Sequence, residues 1–210
     1  YINSRGHKLS TQLDYATKRK ILTSQYRIPA FKWLDGWYAI GVQASDEQPD
    51  YIDLRHVEFF ASRSGQITED WTAVASLRTL RERWAYYEGN DTIDPYNYRY
   101  ATFTYPQLQA DYVNAPVGSN RPDKLAGSIT LRGGVEGVGS DASFAHLHIR
   151  ARWSREFGRN SALIFRGELG HTYTNALVNM PPSLRFFAGG DGSIRGYAWR
   201  EVGPRDGTYA

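Results

Sequence analysis

From Leu9 to Tyr173 the apolar residues of this chain recur at every second position, and that period decides what it can fold into. Leu125, Gly127, Ile129, Leu131, Gly133 and Val135 alternate with Lys124, Ser128, Thr130, Arg132 and Glu136. Leu147, Ile149, Ala151 and Trp153 alternate with His146, His148, Arg150, Arg152 and Ser154. Leu163, Phe165, Leu169 and Tyr173 stand against Ile164, Arg166, Glu168 and Thr172, and Leu9, Thr11, Leu13 and Tyr15 against Lys8, Ser10, Gln12 and Asp14. A helix would place apolar residues three and four apart, whereas side chains of a strand alternate between two faces. The spacing predicts nine strands and an all-β chain. Thr17–Lys20, Trp33–Gly36 and Ser45–Asp50 read as turns, Pro29 as a strand end, and Asn114–Asp123 as the longest internal connection. Residues 51–63 and 68–85 alternate least cleanly. Leu80–Tyr87 is compatible with helix or strand; Ser64-Gly65-Gln66 and Gly89-Asn90-Asp91 bracket it like hairpin loops and favour strand.

Most predicted strands reach nine residues or more, the length a β-strand needs to cross a bilayer and longer than the usual globular strand. A soluble β-sandwich also alternates. Here, however, the polar faces carry ions at successive positions, as at Arg150 and Arg152, while the opposite faces read as continuously apolar. Tryptophan and tyrosine gather near strand ends (Trp33, Trp37, Trp71, Trp84, Tyr98, Trp153, Tyr173), as in the aromatic girdles of membrane barrels. A mean hydropathy of −0.55 fits a barrel with a polar interior, and no apolar run is long enough for a membrane-spanning helix. Nine is odd, whereas bacterial single-chain barrels have even strand numbers, and open sheet edges do not persist in lipid. Residues 1–174 therefore read as part of a larger barrel, in a piece of a longer protein.

The net charge of +3 comes without a basic block or basic helix, which argues against nucleic acid as a partner. Zero cysteines exclude disulfides and thiolate metal sites. His146 and His148 share a strand face at a spacing a metal could bridge, but His7, His56 and His171 are scattered and no third ligand stands nearby. Neither a Ser/His/Asp signature nor a G-x-S-x-G elbow is present. The expectation is no metal, no cofactor and no enzymatic activity. Arg166 and Glu168 fall on one strand face and read as an ion-paired lining.

The remaining feature is Phe186-Phe187-Ala188-Gly189-Gly190-Asp191-Gly192-Ser193-Ile194-Arg195-Gly196-Tyr197. In isolation it reads as a glycine-rich turn with a solvent-facing arginine. It lacks the Lys-Ser/Thr ending of a phosphate-binding loop. In full it resembles the long loop of the BamA/TamA superfamily of outer-membrane assembly barrels, whose hallmark is (V/I)-R-G-(F/Y). The flank from Pro181 to Asp191 looks specifically like TamA.

That resemblance implies a sixteen-stranded barrel in the bacterial outer membrane. Residues 1–174 would supply the third to eleventh strands, and residues 175–210 a truncated loop folded back inside. It also implies that Ile194, Arg195, Gly196 and Tyr197, with Gly189, Gly190 and Asp191, lock the loop, Arg195 pairing with a carboxylate beyond this sequence. Lys124, Arg132, His146, His148, Arg150, Arg152, Arg166 and Glu168 would face the lumen. The implied activity is insertion of outer-membrane or autotransporter β-proteins at a lateral seam, with lipids, unfolded clients and a periplasm-spanning or inner-membrane subunit as partners. A two-partner secretion transporter or porin-like channel, or a barrel fused to an enzyme such as a lipid hydrolase, are the alternatives.

Overall fold

The computed structural model describes residues 5–48, 51–87, 97–114, 123–157, 161–174 and 176–187. Nine antiparallel strands form one sheet in strict sequence order. They are β1 (Lys8–Ala16), β2 (Arg19–Ala30), β3 (Gly36–Glu47), β4 (Ile52–Gln66), β5 (Trp71–Tyr86), β6 (Arg99–Val113), β7 (Asp123–Gly134), β8 (Phe144–Phe157) and β9 (Ser161–Thr174). Leu80–Tyr86 continues β5, as the flanking turns suggested. The sheet does not close on itself within this chain.

Several turns are tighter than the sequence suggested. Arg19 and Lys20 already belong to β2, and β2 runs past Pro29 to Ala30, with Pro29 opposite Trp37. β3 continues through Ser45, Asp46 and Glu47 because each finds a partner across the ladder. Ser45 Oγ lies 2.8 Å from His56 Nδ1, and Arg55 Nε donates to Asp46 Oδ1 at 3.2 Å. Likewise β4 runs on to Gln66, leaving residues 67–70 as the turn. Val135 lies just beyond the end of β7.

The register sorts the side chains onto two faces. Row by row, Leu9–Tyr26–Ile40–Ala61–Leu77 and Leu131–Leu147 stand on one, which is apolar over most of its height. Among the described residues nothing packs on that face: Phe165 is 60% and Leu169 72% exposed. The other face is polar over β7 to β9. Its upper end, where β3 turns to β4 and β5 leads to β6, carries instead a hydrophobic core. Ile52, Leu54, Leu80, Trp84, Phe103, Tyr105 and Phe144 are buried there.

This core explains the weak alternation over residues 51–63 and 68–85: at their upper ends the inner face turns apolar with Leu54, Leu80 and Trp84, while the other face carries Asp53, Arg55, Arg81 and Arg83, so no single period stands out. Pro106, which has no N–H for a ladder, stands where β6 leaves β7. Above it the β7–β8 connection takes over as neighbour, with Thr104 N–H donating to Gly139 O at 2.9 Å and Asp141 N–H to Thr102 O at 3.0 Å. Gly139 takes φ +75° there, a conformation glycine adopts without strain.

Candidate functional site: a dock on the polar face

After β9 the chain turns back over the polar face. Residues Leu177–Asn179 and Pro182–Leu184 each form a single 3-10 turn. Pro182 opens the second, where its fixed φ suits a helical start and its missing N–H costs nothing. Met180 and Leu184 are 0% and 1% exposed and complete the core of Leu54, Leu80, Trp84 and Phe103. The sheet and the returning chain thus share one core.

Polar contacts fix the register of this dock. Ser183 N–H donates to Glu82 Oε1 at 3.1 Å across about a hundred residues of sequence. The Arg185 side chain is buried, with Nε donating to Met180 O at 2.9 Å and Nη1 to Tyr86 Oη at 3.4 Å. Beyond it, the Phe186 ring lies 4.2 Å from the His146 ring and 5.3 Å from that of His148. Gly170 makes the space: a Cβ at that position would come within 2.1 Å of Phe186 Cζ.

Below the dock lies a charged lattice. Glu58 accepts from Arg78 Nη1 at 2.7 Å and from Tyr105 Oη at 3.0 Å. The Arg78 guanidinium also lies over the Phe60 ring, which fits because Gly41 opposite has no side chain. Arg132 Nη2 reaches the His146 ring at 3.3 Å, and Thr172 Oγ1 lies 3.3 Å from His146 Nδ1. His148 Nε2 meets Glu168 Oε1 at 2.6 Å. Glu168 therefore pairs across the ladder with β8, and not along β9 with Arg166 as the sequence suggested. His148 is the diagonal neighbour of Glu168, within reach of two long side chains on one face. Arg166 registers with Arg152, and Arg150 with Glu168. Lys124, at the lower end, bonds Glu156 at 2.8 Å.

All eight polar residues singled out on β7 to β9 register on the same face as the dock. His146 and His148 stand nearly perpendicular, 6.2 Å apart, and both meet Phe186. Among the described residues, no group of three or more His, Cys, Asp or Glu side chains is placed to hold a metal. Gly189, Gly190, Asp191, Ile194, Arg195, Gly196 and Tyr197 lie outside the described residues. In the sequence, Glu82 and Met180 carry no assigned role, and Leu184 and Arg185 figure only as part of the Pro181–Asp191 flank. The signal available was the run of apolar residues after β9, Leu177, Met180, Leu184, Phe186 and Phe187, too apolar for a connection left in water.

One antiparallel sheet of 9- to 16-residue strands, bare and apolar on one face and charged on the other, is the wall of a transmembrane β-barrel. The Omp85 superfamily domain matches residues 2–210, and the chain belongs to that superfamily; its place is the bacterial outer membrane. A crystal structure of BamA from Haemophilus ducreyi lacking POTRA domains 1–3 is similar in fold, with a TM-score of 0.75 at 16% sequence identity. The match covers 95% of this chain and 42% of the BamA chain, so the chain spans less than half the length of that relative.

Proposed function

We propose that this chain is the barrel part of a TamA-like factor that assembles or translocates outer-membrane and autotransporter β-proteins, without enzymatic chemistry of its own. Residues 1–174 would be nine strands of a sixteen-stranded barrel and residues 175–210 its long inward loop. Lys124, Arg132, His146, His148, Arg150, Arg152, Arg166 and Glu168 would line the lumen. The observation that carries the reading is the dock. Met180, Leu184, Arg185 and Phe186 are held on the polar face in an Omp85 domain, immediately before the Ile194-Arg195-Gly196-Tyr197 stretch. In this reading the chain after Phe186 would run along the barrel interior, where Arg195 would meet a carboxylate. Clients would add strands by edge pairing, with a periplasm-spanning or inner-membrane subunit as helper.

The test is Arg195→Ala in the full-length protein. Loss of a buried charge pair costs about 3–5 kcal/mol by orphaning the partner. Heat-modifiable gel mobility of the folded barrel and surface display of an autotransporter should both fall, and Arg195→Lys should restore little because it loses the two-pronged geometry. Wild-type behaviour of Arg195→Ala in both assays would overturn the reading.

A further inference from the structure

The apolar face is not apolar to its top. One ladder row crosses six strands as Tyr15–Lys20–Asp46–Arg55–Arg83–Tyr100. The row beneath it reads Leu13–Leu22–Ala44–Val57–Arg81–Thr102. Four cations thus gather at the upper edge of the membrane-facing surface. Asp46 is the partner of Arg55, and Asp53 accepts from Arg83 Nη2 at 3.4 Å. The Lys20 ammonium sits over the Tyr15 ring, and Arg81 reaches Thr102 Oγ1 at 3.5 Å. The patch therefore carries two positive charges beyond its carboxylates, those of the exposed Lys20 and Arg81, with Arg55 beside them on Asp46.

The height of this row identifies what faces it. Along β2, Ile28 to Lys20 spans about 26 Å of strand, which with Phe31 and Trp33 below and the usual tilt places Lys20 near the top of a ~25 Å apolar band. The upper end bears the 87–98 connection and the chain after β9, and the longer connections of such barrels lie outside the cell. The cations therefore stand at the headgroup level of the outer leaflet.

Two shallow depressions lie on this surface, one above the other. The upper, about 390 Å³, is lined by Lys20, Arg55, Arg81 and Arg83, with Asp46 held by Arg55, together with Leu13 and Leu22. The lower, about 540 Å³, is lined by Leu9, Tyr26, Ile40, Val42, Phe59 and Leu77 on the same strands. A cationic upper hollow over an apolar lower one is the imprint of an acylated anion. Lys20 and the arginines of β4 and β5 stand two to three strands apart, roughly 10–14 Å. That is too wide for a single phosphate.

We propose that this surface binds a multiply acylated glycolipid bearing two phosphates, with Lys20 on one phosphate, Arg55 and Arg81 on the other, and acyl chains along the hollow from Val42 to Leu77. Arginine suits such a contact because its planar fork meets phosphate oxygens in pairs. Tyr15 and Tyr100 close the row at either end, where aromatic side chains with polar tips favour the interface.

The experiment uses the full-length protein in a non-ionic detergent, with bound lipid counted by native mass spectrometry. Diphosphoryl lipid A, monophosphoryl lipid A and phosphatidylglycerol are titrated in turn, with inorganic phosphate as competitor. Diphosphoryl lipid A should bind roughly tenfold more tightly than the monophosphoryl form, and excess phosphate should not displace it. The variant Arg55→Gln/Arg81→Gln should erase that preference, and so should Lys20→Gln, a change at an exposed side chain that leaves the ladder intact. Equal binding of the two forms of lipid A, displacement by phosphate, stronger retention of phosphatidylglycerol, or an undiminished preference in Lys20→Gln would each overturn the proposal.

Discussion

Gly170→Ala separates a docked chain from one that merely passes over the sheet. Inside a strand, replacing glycine by alanine ordinarily stabilises by about 0.5–1 kcal/mol, because the unfolded chain loses freedom it would otherwise regain. Gly170 should behave oppositely. An added Cβ would meet Phe186 Cζ at 2.1 Å, Cε1 at 2.2 Å and Cε2 at 2.6 Å, far inside contact distance. The phenyl ring has two rotatable bonds and will swing away before the backbone of β9 moves. It then gives up its contacts with His146 and His148, worth about 0.5–1.5 kcal/mol for an aromatic pair, along with part of its burial. Gly167, in the same strand, provides the reference: a Cβ there meets nothing within 4 Å. The expected result is that Gly170→Ala is less stable than Gly167→Ala by about 1–2 kcal/mol, the propensity term cancelling between them. Urea titration of the full-length barrel, read by heat-modifiable mobility, measures the difference as a shift in midpoint. Combining Gly170→Ala with Phe186→Ala should remove the penalty, since neighbours in contact are not additive. Equal midpoints for the two glycine variants would refute the dock.

Two further outcomes follow from the two faces. Glu58→Gln should lower stability by about 1.5–3 kcal/mol, because it leaves the half-buried Arg78 guanidinium without its carboxylate, whereas Asp46→Asn at the exposed Arg55 pair should cost about 1 kcal/mol or less; urea midpoints compare them. Leu131→Arg should cost about 2–4 kcal/mol in a bilayer, while Gln109→Arg, one strand over on the opposite face, should be tolerated. Folding yield into vesicles checks the pair, and equal yields would place both positions in one environment.

How much could be read beforehand depended on what each face had to satisfy. Over most of β7 and β8 apolar and polar side chains alternate, so their two faces could be read from the residues. In β4 to β6 both faces are mixed. Leu54, Leu80, Trp84 and Phe103 turn inward to a core, while Arg55, Arg81 and Arg83 share the other face with Val57, Phe59 and Ala61. A period-two reading assigns one chemistry to each face, and here the chemistry changes along the strand instead. Ser45–Glu47 reads as loop for a related reason. Its polar residues satisfy one another across the ladder, at His56 and Arg55, and such pairing depends on a partner strand that local sequence does not contain.

The same excess of length accounts for both features of the upper end. A tilted strand crosses the hydrocarbon in about 9–11 residues, yet β4, β5 and β6 have 15, 16 and 15. The surplus stands above the apolar band. On the membrane side it no longer meets hydrocarbon, which lets Lys20, Arg55 and Arg81 be cationic at little cost. On the opposite side it must still cover apolar surface, since Trp84 and Phe103 would otherwise be wet; the chain after β9 provides that cover with Met180 and Leu184. Shortening these strands would therefore remove the seat of the returning chain and the cation row together. A shorter strand such as β1, with 9 residues, has no surplus and contributes only Tyr15 to that row.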